Sequence, residues 1–330
     1  MEFLEVRNLY KSYEGKIVIR NLSFQLAKGQ RLCILGENGC GKSTLLKMIA
    51  GWENPDSGGI FLENKIVEGF GKKLVRGHKD IILLNQHYQL NNQITVFDNL
   101  LMALKHLSKA ESLEITQQMV ELFRLEPFKD KKPTELSGGQ RQRSSMAQCF
   151  ALSPKILLLD EPFSNQDHKQ KELLISDLMK INQQWETTLI YVTHDAIDAL
   201  AMSTETIVME SGKFIQRATP KALYNNPQSE YVAMLTGEYN LLNGKILDHY
   251  KLENNDDSIF YIRPEEIKIN ESGLWKAKVL EVLFCGYFTK LKVLILDTEM
   301  MVFDFENKGF EVNDEIKFNI EPSKIKRFET

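Results

Sequence analysis

The sequence lacks a long apolar run, a secretory signal and an excess of basic residues. No apolar run approaches the ~18–20 residues that a membrane-spanning helix needs, so we expect work at a membrane to require a partner that spans it. The first residues, MEFLEVRNLY, do not show the charged and then apolar pattern of a secretory signal. Lys and Arg number 41 against 45 Asp and Glu, which gives a net charge of −4. This balance argues against general nucleic-acid binding, which usually brings a basic domain.

Cysteine is also scarce, at four of 330 residues: Cys33, Cys40, Cys149 and Cys285. No two of them have the C-x-x-C spacing that is typical of a metal or redox motif. We therefore expect buried or incidental thiols in a reducing cytoplasm rather than a metal site.

The order of elements predicts two domains. Strands alternate with helices up to about residue 240, which is typical of a parallel α/β sheet, and residues 87–150 are mostly helical. From there on, short strands separated by turn residues indicate a small all-β barrel. We therefore predict an α/β domain at 1–240 and a β-barrel at 241–330.

The segment GENGCGKST at 36–44 has the form G-x-x-x-x-G-K-[ST] and lies between a predicted strand and a predicted helix. Its glycines allow successive backbone N–H groups to face a phosphate, and the helix N-terminus adds a positive dipole. Lys42 can reach the β- and γ-phosphates, and the Ser43 hydroxyl can bind Mg²⁺. The predicted phosphate-binding residues are Gly36, Glu37, Asn38, Gly39, Cys40, Gly41, Lys42, Ser43 and Thr44.

Two acidic residues follow the apolar run in LLLDEP at 157–162. Asp160 stands at the carboxyl end of a predicted buried strand, where it can hold Mg²⁺. The next residue, Glu161, can polarise a water molecule as a general base.

Three further positions are candidates because of where they fall in the predicted sheet. His194 ends the apolar strand TLIYVT and is predicted to contact the γ-phosphate. Gln86 ends IILLNQ and is predicted to contact both Mg²⁺ and the attacking water. Tyr13 precedes the phosphate loop and can stack on adenine, whereas core packing is its alternative role.

A second glycine-containing segment, ELSGGQRQR at 135–143, has no lysine where a phosphate loop would have one. Ser137, Gly138, Gly139 and Gln140 offer a hydroxyl and backbone N–H groups to an anion. Ser137 can instead serve only as the N-cap of the following helix. The residues alone leave both roles open.

Taken in order, these motifs resemble those of the ATP-binding-cassette (ABC) ATPases over about residues 1–240. The resemblance implies a P-loop NTPase fold with a RecA-like core and a helical subdomain, and it implies ATP and Mg²⁺ as ligands. It also implies that Ser43, Gln86 and Asp160 hold Mg²⁺, that Glu161 is the general base, and that His194 senses the γ-phosphate.

The resemblance also implies an ATP-sandwich homodimer. The 137–140 segment would then contact the nucleotide on the partner's Lys42, and Asp167 would lie in the loop that crosses between the protomers. One departure concerns that loop, because Gln166 stands where importers usually have leucine.

The residues after His194 resemble importer ATPases for small polar solutes. YIRPEEIKI and GYFTKLKV resemble the TOBE-like, oligomer-binding-type barrel of polyamine, ferric-iron, molybdate, sulfate and sugar importers. The short barrel favours iron, a polyamine or an oxyanion over sugar. The barrel has two open roles, dimerisation and regulation. An ABC-type switch acting on nucleic acid or the ribosome is the alternative class, although the chain has one cassette and no basic arm.

These resemblances imply a peripheral subunit on the cytoplasmic face of the inner or plasma membrane. Its partners would be a second copy, membrane-spanning permease subunits that dock on the helical subdomain and, indirectly, a solute-binding protein, with no nucleic acid. Two roles are open for four apolar residues of the helical stretch, which either line the permease groove or belong to the core. These residues are Leu90, Val96, Phe97 and Leu100.

Overall fold

The structure is a computed structural model of the chain, and it describes residues 3–69, 77–84, 90–163, 168–242, 244–251 and 259–328. The chain divides into two compact units, Met1–Lys221 and Ala222–Thr330. The predicted division at residues 240/241 stays a prediction.

The first unit alternates strands and helices, as the sequence predicts. Its strands are β1 (Leu4–Tyr13), β2 (Lys16–Leu26), β3 (Arg31–Leu35), β4 (Ser57–Leu62), β5 (Lys65–Ile66), β6 (Ile81–Leu84), β7 (Ile156–Asp160), β8 (Thr188–Thr193), β9 (Glu205–Glu210) and β10 (Lys213–Ala218). Its helices are α1 (Lys42–Ile49), α2 (Val96–Ala103), α3 (Lys109–Leu122), α4 (Gly138–Ala151), α5 (His168–Trp185) and α6 (Ala196–Met202), and α7 (Pro220–Asn225) spans the boundary between the units.

Two sheets enclose the main core of this unit. The larger has the order β10-β9-β3-β8-β7-β6, and its strands are parallel except for β10. The smaller has the order β2-β1-β4-β5 and is antiparallel. Helix α1 contributes Leu45, Leu46 and Ile49 to the core, and all three are fully buried. Because β3, β7 and β8 are parallel neighbours, their carboxyl ends meet at one edge of the sheet.

The predicted helical stretch contains α2, α3 and α4. Thr95 caps α2 by accepting a hydrogen bond from the Asp98 N–H. Of the residues proposed either for a permease groove or for the core, Leu90, Val96 and Leu100 are buried and Phe97 is half-buried. The core alternative is therefore confirmed for the first three.

The second unit is mostly antiparallel β-structure. It contains β11 (Asn240–Leu241), β12 (Phe260–Ile262), β13 (Ile267–Ile269), β14 (Trp275–Phe284), β15 (Thr289–Ile295), β16 (Thr298–Asp304), β17 (Glu315–Ile320) and β18 (Lys326–Arg327), with helices α8 (Glu230–Thr236) and α9 (Gly244–His249). A curled five-stranded sheet has the order β13-β17-β14-β15-β16. This arrangement confirms the predicted barrel-like class, whereas α9 was not predicted.

Arg263 holds the irregular part of the second unit together. It is 4% exposed and donates hydrogen bonds to the carbonyls of Ala233, Glu238 and Tyr224, at 2.9–3.2 Å. It also donates to the hydroxyl of Thr236 at 2.9 Å. All four acceptors bind the two terminal NH2 groups of the guanidinium, whereas Nε has no hydrogen-bond partner among the described residues. Through these four bonds Arg263 fixes α8 and the chain on either side of it.

Candidate nucleotide-binding site

The phosphate loop joins β3 to α1 and is shaped by its own backbone. Gly41 is the N-cap of α1 and has a φ of 111°, which residues with a Cβ rarely adopt. A Cβ on Gly41 would also lie 2.8 Å from the Val18 carbonyl oxygen. Glycine at this position is therefore required both by the turn and by the close packing beneath it.

Lys42 lies inside the curve of this loop. Its side chain is buried, at 5% exposed, and its Nζ donates to the carbonyls of Gly36 at 2.7 Å and Glu37 at 2.9 Å. The ammonium is thus held at the N-terminus of α1, where a helix already favours an anion. This is the chemistry expected of a phosphate-binding lysine.

Ser43 and Asp160 bring two oxygen ligands to one point. The Ser43 hydroxyl donates to Asp160 Oδ1 at 2.9 Å. Burial, followed by the neighbouring Glu161 charge, raises the pKa of Asp160, although Ser43, Lys42 and Lys47 act in the opposite direction. A hard divalent cation favours such oxygen donors and would stabilise the ionised carboxylate. These two residues therefore fit Mg²⁺.

Glu161 and His194 follow neighbouring strands and meet at the sheet edge. His194 Nδ1 lies 3.1 Å from Glu161 Oε1. Glu161 has a φ of 47°, in the left-handed region, and its N–H donates to the Val192 carbonyl at 3.1 Å. A non-glycine residue in this region stores strain, which is common at functional sites. The backbone thus aims this carboxylate at His194 rather than along the strand.

Tyr13 is 41% exposed at the end of β1. Its hydroxyl donates to the Glu53 carboxylate, and Lys11 Nζ lies 5.3 Å from its ring centroid. Burial and the hydrogen bond to Glu53 raise the pKa of Tyr13 to about 12. The exposure of the ring is compatible with the predicted stacking on adenine, and it does not fit the alternative role in core packing.

The 137–140 segment begins α4 with a capping box. Ser137 Oγ accepts from the Gln140 N–H at 3.3 Å, and Gln140 Oε1 accepts from the Ser137 N–H at 3.1 Å. The predicted N-cap role is therefore confirmed. It does not exclude anion binding, because a hydroxyl that accepts one hydrogen bond still has its own proton to donate. A Cβ on Gly138 would meet no atom of the described chain within 4 Å.

Some predicted positions lie outside the described residues. These are Gln86, proposed for Mg²⁺ and water, and Asp167 with its unusual neighbour Gln166. Their roles stay predictions.

Sequence reasoning missed a cationic residue behind His194. Lys171 Nζ on α5 lies 2.8 Å from Asp195 Oδ2 and 2.5 Å from Asp198 Oδ1. The signal was available, since Asp195 and Asp198 are three residues apart at a helix start and therefore share a face. Two acids on one face beside a buried strand need a cation.

The chain is similar to known ATP-binding proteins. A sequence model of the family described as ABC transporter matches residues 19–164. The spermidine/putrescine import ATP-binding protein PotA of Clostridium acetobutylicum is 34% identical over 341 residues, covering 98% of this chain and 95% of that protein. The Fe(3+) ions import ATP-binding protein FbpC of Mannheimia succiniciproducens is 35% identical over 288 residues, covering 82% of this chain and 81% of that protein.

Solved structures show the same fold. The cbiO1 subunit of a Clostridium perfringens ABC transporter complex is 26% identical with a TM-score of 0.63, covering 68% of this chain and 90% of that one. An ATP-binding cassette dimer solved after hydrolysis with ADP and Pi is also 26% identical, with a TM-score of 0.59, covering 66% and 98%. No helix among the described ranges is long and apolar enough to cross a bilayer.

The comparisons give no support to an ABC-type switch acting on nucleic acid or the ribosome, since the relatives reported above are import ATP-binding proteins. The phosphate loop, the Ser43–Asp160 pair and the Glu161–His194 pair lie at one edge of the larger sheet, and the spermidine/putrescine relative matches 98% of the chain. The chain belongs to the family of ABC transporter ATP-binding proteins, which hydrolyse ATP.

Proposed function

We propose that this ATPase powers the import of a polyamine through a separate permease, with ferric iron as the second candidate solute. The observation that carries the choice is the recurrence of one solute class among the relatives. Four spermidine/putrescine import ATP-binding proteins each match 98% of the chain, including the second unit, whereas the ferric-iron relative matches 82%. An oxyanion or a sugar has no such support among these relatives.

Lys42 and the loop N–H groups bind the β- and γ-phosphates, because they form a cationic, donor-lined curve at a helix N-terminus. Tyr13 stacks on the adenine. Ser43 and Asp160, together with Gln86, would hold Mg²⁺, and the ion would supply charge neutralisation at the phosphates. Glu161 accepts the proton of the attacking water, and His194 orients both Glu161 and the γ-phosphate.

The site is completed by a second copy of the chain. Ser137, Gly138, Gly139 and Gln140 contact the γ-phosphate held by the partner, and a role for Asp167 between the protomers stays a prediction. The open space beside Gly138 supports this role, because it admits a ligand that its own chain does not supply. The cassette solved as a dimer after hydrolysis offers a structural precedent in a related protein.

The protein works as a peripheral subunit on the cytoplasmic face of the inner or plasma membrane. The helical subdomain within residues 87–150 receives the permease, and a solute-binding protein acts indirectly through that permease. Closure of the dimer around two ATP molecules drives the permease, and hydrolysis resets it. Exclusion of water on closure strengthens the contacts to the phosphates.

Uptake measurements in cells that lack the gene test this proposal. Cells complemented with the wild-type gene should regain accumulation of labelled spermidine or putrescine, and cells complemented with Glu161→Gln should not. Loss of ferric-iron uptake with normal polyamine uptake would select the second candidate. Loss of oxyanion or sugar uptake alone would contradict both.

A further inference from the structure

We propose that Lys171 is a positioning residue for His194, which it fixes against Glu161 through Asp195 and Asp198. The inference rests on the proposed role of His194 in hydrolysis and extends it to a different helix. Lys171 lies on the first described turn of α5, which is not part of the phosphate loop or the acidic pair.

The first step is the contact between the helices α5 and α6. Lys171 Nζ donates to Asp195 Oδ2 at 2.8 Å. It also forms an ion pair with Asp198 Oδ1 at 2.5 Å, although that contact lacks the alignment of a hydrogen bond. The Lys171 side chain is 19% exposed and that of Asp198 only 4%. A mostly buried pair of this kind has more influence on geometry than a solvated one, which solvent screens.

The second step runs from Asp195 to its neighbour His194. Asp195 Oδ1 accepts from the Ile197 N–H at 2.8 Å, and the Asp195 N–H donates to Thr193 Oγ1 at 3.0 Å. The turn is therefore tied on both sides of His194, and Lys171 holds the remaining carboxylate oxygen. The orientation of this turn determines where the imidazole meets Glu161.

Charge explains why a cation is needed here. Burial raises the pKa of Asp198, and the nearby Asp195 acts in the same direction, while Lys171 opposes both. Burial alone would lower the pKa of Lys171, but its pairing with the two acids outweighs this and raises it. Removing the ammonium would leave two acids facing each other, one of them buried, and the turn would relax away from this arrangement.

The alternative is that the ion pairs of Lys171 only stabilise the packing of α5 against α6, without affecting His194. ATPase kinetics of full-length variants separate the two. Lys171→Met should lower kcat roughly tenfold or more, because small displacements of a reacting group are costly, while KM for ATP stays within about twofold. Lys171→Arg should restore most of kcat. Lys180→Met, on the same helix, is the matched control and should behave as wild type.

A double-mutant cycle with His194→Ala decides the route of the effect. If Lys171 acts through His194, Lys171→Met should reduce kcat by less than about twofold in the His194→Ala background. A full additive loss would overturn the positioning role while leaving the proposed role of His194 intact. Normal turnover in His194→Ala alone would overturn both. Lys171→Gln replaces Lys171→Met in the cycle if the latter does not fold.

If the ion pairs of Lys171 only stabilise the packing of α5 against α6, Lys171→Met should lower the melting temperature and leave kcat unchanged. That result would also overturn the proposal.

Discussion

His194 Nδ1 lies 3.1 Å from Glu161 Oε1, across the ends of two neighbouring parallel strands. The contact depends on a Glu161 backbone with a φ of 47°, because an extended residue at this position would continue the direction of β7. The carboxylate is therefore held by a partner side chain and by a strained backbone together. Such prior placement reduces the reorganisation needed when the reaction occurs.

Glu161→Gln should bind ATP normally and hydrolyse it ~10²–10⁴ times more slowly, since the amide cannot accept the proton of water. The trapped nucleotide should also make the dimer accumulate, which light scattering after gel filtration in the presence of ATP would detect. Turnover at the wild-type rate would refute the assignment of Glu161 as the base.

Lys42→Ala should weaken nucleotide binding at least tenfold, because hydrogen bonds to charged groups contribute about 1.5–3 kcal/mol. Titration of a fluorescent ATP analogue gives the dissociation constant directly. Lys109→Ala, an exposed lysine at the start of α3, is a suitable control. Equal affinity of the Lys42 variant and this control would contradict the phosphate-binding role.

The Tyr13 phenol should titrate at about pH 12 rather than at its ordinary value of 10. The unfolded chain then loses this proton first, so the stability that depends on Tyr13 is complete below about pH 10 and is lost toward pH 12. The absorbance of tyrosinate, compared between wild type and Tyr13→Phe, measures the midpoint. Glu53→Gln should lower that midpoint, and a wild-type midpoint near 10 would contradict the Glu53 contact.

Arg263→Met should destabilise the second unit by about 3 kcal/mol or more, since several buried carbonyls lose their donors at about 1–3 kcal/mol each. Denaturant unfolding of the full-length chain reports the change. Lys276→Met, whose side chain is 62% exposed in a surface ion pair, is the control and should have little effect. Equal midpoints for the two variants would show that Arg263 does not hold this unit together.

The sequence allowed the chemistry at the sheet edge to be predicted because motif spacing and strand ends fix it. Glu161 and His194 each come just after an apolar strand, so their contact follows from parallel topology. For the Lys171 contacts, the spacing of Asp195 and Asp198 indicates that a cation is needed, but which residue supplies it depends on how α5 packs beside α6. Helix α9 was missed since six residues carry too little periodicity to distinguish a helix from a turn.

The segment ELSGGQRQR combines a helix cap with a surface at Gly138 that the described residues of its own chain leave open. The proposed dimer requires that Ser137 of one chain completes the site built on Lys42 of another. Mixing Lys42→Ala with Ser137→Arg, each inactive alone, tests it most directly through the ATPase rate. Since half of random dimers would then carry one intact composite site, activity should recover toward about a quarter of wild type. No recovery, with mixed dimers verified by differential tags, would contradict the claim.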